Sequence, residues 1–91
     1  MAKVMRVIGF ANGAPCPIAG QYLKEFNFDA HDSRGEGLFT LDPYKAMRFA
    51  TLEDLFAFYR RTSTAHPTRE DGKPNRPLTA MHMLAETLEG V

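Results

Sequence analysis

Gln21-Tyr22-Leu23-Lys24-Glu25-Phe26-Asn27-Phe28, followed by Asp29-Ala30-His31-Asp32-Ser33-Arg34-Gly35-Glu36-Gly37 and then Leu38-Phe39-Thr40-Leu41, is the stretch that decides the fold. The first eight residues put Tyr22, Phe26 and Phe28 on one face of a strand and Gln21, Glu25 and Asn27 on the other. Lys24 and Leu23 break that alternation. The next nine residues are polar and carry two glycines, as a tight reversal requires. Leu38 to Leu41 is a short return strand, so the unit reads as a β-hairpin.

Working outward, Val4 to Phe10 is rich in Val, Ile and Phe and runs into the turn pair Asn12-Gly13, which marks an earlier strand. Ala11 to Gly20 carries Pro15 and Pro17 on either side of Cys16. Proline cannot donate to a ladder, so this is a loop or a blunted sheet edge. Beyond the hairpin, Asp42-Pro43 has the cap and first-position chemistry of a helix start, and Tyr44 to Ala50 is expected to be two turns. Thr51 opens a second helix, in which Leu52, Leu55, Phe56 and Tyr59 form an i, i+3, i+4, i+7 stripe. Arg60 and Arg61 end that helix, where its dipole favours cations. Thr62 to Pro77 is polar and proline-rich, with turn signals at Asp71-Gly72 and Pro74-Asn75. Leu78 to Leu88 is a last strand with Met81, Met83 and Ala85 on one face.

The order β-β-β-α-α-β predicts a single α+β domain over residues 1–91. Its sheet would be antiparallel or mixed, with about four strands and two helices on one face. Phe26, Phe49, Leu55 and Phe56 are expected in the core. Phe58 falls off the helical stripe and is expected to be the exposed aromatic.

The bulk properties are those of an ordinary globular protein: 44% hydrophobic and 24% charged residues, with Lys+Arg and Asp+Glu at 11 each. General nucleic-acid binders carry a basic surplus, and this chain has none overall. A single cysteine excludes a disulfide framework. No apolar run is long enough to span a bilayer and no signal-peptide pattern opens the chain. A cytoplasmic location, within a bacterial host cell, is the expectation.

No catalytic constellation is legible, and the chain is expected to be no enzyme. Cys16 has no histidine near it in sequence, and flanking prolines are not an activating motif. Ser63 and His66 lack a nucleophile elbow. His31 with Asp29, Asp32 and Glu36 has neither the register of a calcium loop nor the spacing of a zinc site. No metal and no cofactor are expected.

The informative segment is Arg60 to Arg76. It holds Arg60, Arg61, Arg69, Lys73 and Arg76 against Glu70 and Asp71, five cations to two anions, on a chain whose formal net charge is zero. Such a patch attracts phosphate or carboxylate groups, and Asn75 adds an uncharged donor, as does Thr79. Arg60, Arg61, Arg69, Lys73, Asn75 and Arg76 are therefore the candidate binding residues. The hairpin tip, with His31, Asp32, Arg34 and Glu36, is the secondary candidate surface.

Gly20-Gln21-Tyr22-Leu23, Asp32-Ser33-Arg34-Gly35, Thr40-Leu41-Asp42-Pro43 with Ala46 and Arg48-Phe49, Arg61-Thr62-Ser63-Thr64, and above all Asp71-Gly72-Lys73-Pro74-Asn75-Arg76-Pro77-Leu78-Thr79-Ala80 resemble a family of small uncharacterised phage and prophage accessory proteins. The resemblance covers most of the chain from Gly20 onward. It implies a mobile-element protein that binds a host protein or nucleoprotein complex, of a kind that includes inhibitors of bacterial defence, anti-CRISPR proteins among them. The residues themselves leave two alternatives open. One is a binder or sponge of a small phosphorylated ligand or nucleotide that uses the Arg60 to Arg76 loop. The other is a small enzyme whose site has no recognisable motif.

Overall fold

Val4, Met5 and Val7 are all but inaccessible to solvent. Neighbouring side chains on a strand point to opposite faces, so burial of both Val4 and Met5 requires cover on both sides of the sheet. The structure, a computed structural model, describes residues 1–89 and shows how this arises. Strand β1 (Ala2–Phe10) lies inside an antiparallel sheet with β2 (Tyr22–Asn27), β3 (Glu36–Thr40) and β4 (Met81–Leu88), in the order β3-β2-β1-β4. The α+β fold is completed by α2 (Leu52–Tyr59), by a single irregular turn, α1 (Ala30–Ser33), between β2 and β3, and by two 3-10 turns, Pro43–Lys45 and Pro77–Ala80. No helix among the described residues is long and apolar enough to cross a membrane.

The main core gathers Met5, Val7, Leu23, Phe28, Leu55, Leu78 and Met81 under α2. A smaller cluster on the opposite face joins Val4, Ala46 and Leu88, with Ala2 and Tyr22 packed against it. The two halves of the sheet are unevenly joined. β1 pairs with β4 from Ala2↔Leu88 to Phe10↔Met81, and β2 pairs with β3 from Tyr22↔Thr40 to Asn27↔Glu36, whereas β1 meets β2 at one register pair, Arg6↔Tyr22. That seam is stapled by side chains. Tyr22 donates its hydroxyl proton to Glu86 Oε1 at 2.8 Å, and Arg6 Nε lies 3.2 Å from Glu86 Oε2. Further along, the chain around Met47 closes the gap left between β1 and β2. Met47 N donates to Leu23 O at 2.9 Å, and Phe49 exchanges two backbone bonds with Lys3.

The hairpin forms as the sequence predicts, with Phe26 and Phe28 on the core side, but the residues before them change faces. The register of β2 against β3 shifts between Leu23 and Glu25, leaving Lys24 as an extra residue. A bulge of this kind changes the parity of everything beyond it. Leu23, read from the sequence as lying on the polar face, is 0% exposed and shares the main core with Phe26. Tyr22 turns to the opposite cluster.

The second helix begins as expected, with Thr51 Oγ1 accepting from Asp54 N at 3.1 Å. Its buried face is Leu55 with Phe58 and Tyr59, rather than Leu52 and Phe56. Phe58 packs edge-on to Phe28 at 5.2 Å and against Phe49 at 5.3 Å. Phe56, expected in the core, is 42% exposed. Phe26 and Phe49 are half-buried. Tyr59 donates its hydroxyl proton to Met81 O at 2.7 Å, tying the helix to β4.

The first expected helix shrinks to one 3-10 turn, Pro43–Lys45. Asp42 does cap it, accepting from Tyr44 N at 2.9 Å. The residues after that turn are drawn into the sheet by the Lys3 and Leu23 bonds, which an α-helix through Ala50 could not make.

Candidate functional site

The site grows from Asp29, in the turn that follows β2. Its carboxylate accepts four hydrogen bonds from a segment some 35 residues further along the chain. Oδ1 takes Ser63 Oγ at 2.6 Å, Thr64 N at 2.8 Å and Ala65 N at 3.1 Å, and Oδ2 takes the Thr64 hydroxyl. The Ser63 and Thr64 hydroxyls, followed by the backbone donors, hold the Asp29 carboxyl well below the usual carboxylate range, because each favours the charged form. Ser63 is fully buried. Its oxygen also shares a bond with Ser33 Oγ at 2.7 Å and accepts from His66 N at 3.3 Å.

Ser33 belongs to an unusual turn. His31, Asp32 and Ser33 have φ of 53°, 55° and 65°, three consecutive left-handed residues, none of them glycine. Each costs on the order of 1–2 kcal/mol, and such strain persists only where the surroundings over-determine it. The restraints are visible. Gly35 N donates to Ala30 O at 3.0 Å, and Asn75 Nδ2 donates to Ser33 O at 3.2 Å. Gly35 itself sits at φ 89°.

The Thr62 to Pro77 segment is correspondingly ordered. Ser63 N donates to Asn75 O, Asn75 N to Pro67 O and Arg69 N to Lys73 O. Thr68 and Pro74 form an isolated bridge. The Asp71-Gly72 signal marks the tip, where Lys73 N donates to Asp71 Oδ1 at 3.0 Å. The loop is thus a narrow doubled-back arm, clamped at its base onto the β2–β3 turn.

This docking merges the two surfaces singled out from the sequence. The arm and the turn enclose a cleft of about 690 Å³ whose lining includes Asp32, Arg34, His66, Arg69, Glu70 and Arg76. Arg34, Arg69 and Arg76 bring three cations to it, and Asp32 and Glu70 two carboxylates. The remaining candidates lie elsewhere. The guanidinium of Arg60 stands over the Phe56 ring at 5.6 Å and that of Arg61 over Phe28 at 5.0 Å. Lys73 is at the arm's tip, outside the cleft lining. Asn75 lines the cleft, but its amide donates to Ser33 O and His66 O, so it staples the arm. Thr79 Oγ1 is likewise engaged, with Arg76 O at 2.7 Å. His31 and Glu36 face each other at 3.5 Å on the exposed side of the turn.

Sequence reasoning missed Asp29 as the organising residue. Its bonds reach across more than thirty positions, and nothing near it in sequence announces them. Among the described residues no three His, Cys, Asp or Glu side chains are grouped to hold a metal ion. Cys16 is a half-buried free thiol packed against the main core. Compared with known proteins, the chain matches no family model, no curated protein and no solved structure.

Proposed function

We propose that the protein is a non-enzymatic binding protein whose working surface is the cleft between the β2–β3 turn and the 62–77 arm. The observation that supports this is the convergence of Arg34, Arg69 and Arg76 from two separate segments onto one clamped cleft. Arginine suits carboxylate and phosphate because its planar fork offers paired donors. The occupant is an anionic segment of a host protein or nucleoprotein complex, and Asp32 and Glu70 set its orientation by repelling a misplaced anion. The hydroxyls of Ser33, Ser63 and Thr64 bond to Asp29 and to one another, and so serve to fix the arm that carries Arg69 and Arg76. The resemblance to phage accessory proteins adds the biological reading, an accessory factor of a mobile element that interferes with host defence in the manner of anti-CRISPR proteins and acts in the bacterial cytoplasm.

A second reading is favoured by the cleft's size. About 690 Å³ falls in the range of roughly 300–1,000 Å³ typical of small-molecule sites, which suits a phosphorylated ligand or nucleotide. One experiment tests both. Tagged wild type and an Arg69→Glu, Arg76→Glu variant are used to capture partners from bacterial lysate, and the same pair is titrated with nucleoside phosphates while melting temperature is followed. A protein retained by wild type and lost by the variant supports the first reading. A nucleotide-dependent rise in melting temperature confined to wild type supports the second. Identical behaviour of the two proteins in both arms overturns the assignment of the cleft.

A further inference from the structure

β4 is the last strand on its side of the sheet and pairs with β1 alone. The direction of its free hydrogen-bonding groups follows from the bonds of β1. Lys3 exchanges two backbone bonds with Phe49, while Val7 donates to Gln21 O at 2.8 Å and accepts from Gly20 N at 2.7 Å. Both residues thus turn their backbone groups away from β4. In an antiparallel ladder the residue opposite such a position turns its own groups outward too, and the direction alternates along the strand. Thr87 lies opposite Lys3, Ala85 opposite Met5 and Met83 opposite Val7. The N–H and C=O groups of Met83, Ala85 and Thr87 therefore point out of the sheet along one edge. Among the described residues, no backbone group bonds to them on that side.

Edges that stay unpaired are usually blunted by lysine, proline, a bulge or a very short strand. β4 has none of these. It is eight residues long, without proline, lysine or arginine. Every one of its residues has a partner on β1, and the extra residue at the register shift, Ile8, belongs to β1. Its one carboxylate, Glu86, is turned inward to Tyr22 and Arg6, so its charge is compensated within the same copy. The opposite edge, β3, is shorter and opens with the exposed Glu36. Met83 and Ala85 pack on the main core, which puts Leu84 on the sheet face away from α2. Leu84 is exposed there at the middle of β4, and Ile8, set between the partners of Met83 and His82, is exposed too.

We infer that β4 is a self-association edge, which pairs antiparallel with β4 of a second copy about a two-fold axis through Leu84. Such an axis, normal to the sheet, brings together residues that face the same way. Met83 of each copy then pairs with Ala85 of the other, outward-pointing backbone meeting outward-pointing backbone, with about four hydrogen bonds exchanged. Leu84 meets its own counterpart in the close position between those pairs, with about 4.5 Å between Cα atoms. The same register sets His82 of each copy across from Glu86 of the other, a ring donor facing a carboxylate that has lone pairs to spare. A second copy suits this edge better than a charged strand. The edge offers no uncompensated charge to attract one, and a chain of zero formal net charge does not repel its own copies. No residue of β4 lines the arginine cleft, so the inference stands independently of the function proposed for that cleft.

The test is sedimentation equilibrium of the whole protein. Between about 10 μM and about 1 mM a monomer should pass to a dimer, since a contact this small belongs to the weak, transient class. Leu84→Lys sets two like charges face to face and should weaken association at least about tenfold, while its melting temperature in dilute solution stays that of wild type. The register is read by cross-linking with oxidised glutathione in a Cys16→Ser background. Leu84→Cys should link readily, because a Cα separation of about 4.5 Å lies within the roughly 4.4–6.8 Å of a disulfide. His82→Cys, which faces Glu86 of the second copy and not itself, should link at least about tenfold more slowly. The inference is overturned if wild type is still a monomer at about 1 mM, if a folded Leu84→Lys associates as wild type does, or if the two cysteine variants link at equal rates.

Discussion

Replacing Gly35 by alanine tests the idea that the β2–β3 turn is held by close packing as well as by hydrogen bonds. Two costs are expected. The first is conformational. Gly35 has φ +89°, and an L-residue placed in left-handed space loses roughly 1–2 kcal/mol. The second is steric. A methyl group on Gly35 would lie 2.3 Å from Phe26 Cζ, 2.7 Å from Phe26 Cε2 and 2.9 Å from Pro77 Cβ. The ring cannot move away freely, since Phe28 packs edge-on to it at 4.8 Å and Gly37 closes over its other edge. Forced repacking of this kind costs about 1–3 kcal/mol. The sum is about 2–5 kcal/mol, a large part of the roughly 5–15 kcal/mol that holds a domain folded. Gly72→Ala separates the two costs. Gly72 has a similar φ, +83°, but nothing lies within 4 Å of its Cβ position, so only the conformational cost of about 1–2 kcal/mol applies. Urea unfolding of the two variants and wild type should give the same slope and three midpoints, with Gly35→Ala lowest. Since slopes for small proteins are about 1–3 kcal/mol per molar urea, the two glycine variants should differ by on the order of 1 M. Losses equal to within about 0.5 kcal/mol, the usual spread of surface substitutions, would refute the packing argument.

Leu55→Ala, at the buried face of α2, should lose about 2–5 kcal/mol in the same unfolding assay, whereas Phe56→Ala should lose no more than about 1 kcal/mol, the worth of the exposed contact with Arg60. Asp29→Asn should be less stable than wild type at pH 6, and the gap should narrow on acidification. The folded pKa of Asp29 is depressed, so its contribution is complete above the ordinary carboxylate pKa of about 4 and fades as pH falls through the lower folded value. A urea midpoint gap independent of pH between 6 and 2 would contradict the carboxylate clamp. Arg69→Glu with Arg76→Glu should abolish binding of an anionic partner in a calorimetric titration, at about 1.5–3 kcal/mol per charge-assisted bond. Its melting temperature should hardly move, because the Arg69–Asp71 contact at 3.7 Å is exposed and such pairs contribute little. Cys16→Ser should keep full binding and lose about 1 kcal/mol or less in stability; loss of binding in a folded variant would contradict a non-catalytic role.

The four strands, the α+β class, the cap at Thr51 and the tip at Asp71-Gly72 were legible because each rests on local pattern or local hydrogen bonding. Face assignments were less secure for a definable reason. One extra residue, Lys24, inverts the parity of β2 and carries Leu23 inward. On α2, the apolar residues Leu52, Leu55, Phe56, Phe58 and Tyr59 allow more than one stripe, and contacts with Phe28 and Phe49 choose the one that includes Phe58. The first helix failed because the backbone near Met47 and Phe49 finds partners in Leu23 and Lys3, far away in sequence. For the candidate site, the charge surplus pointed to the loop that docks on the β2–β3 turn. It could not show that Arg60 and Arg61 lie over rings, that Asn75 is a staple, or that Arg34 joins Arg69 and Arg76 in one cleft. The last of these depends on Asp29 reaching Ser63, Thr64 and Ala65.

The long ladder between β1 and β4 also governs when the protein can become itself. It pairs Ala2 with Leu88 and Phe10 with Met81, so the first strand made has no partner on that side until nearly eighty further residues have followed. A ribosome adding about 5–20 residues per second leaves β1 waiting for roughly 4–15 s. The β2–β3 hairpin, whose partners are near neighbours, closes in about 1–10 μs once its residues are free. During the wait Val4, Met5 and Val7 are an uncovered apolar strip. The nascent chain is therefore most open to capture by chaperones, or by another copy's β1, before β4 emerges, and substitutions that lower β4's strand propensity would reduce yield in the cell more than they lower the stability of the finished fold.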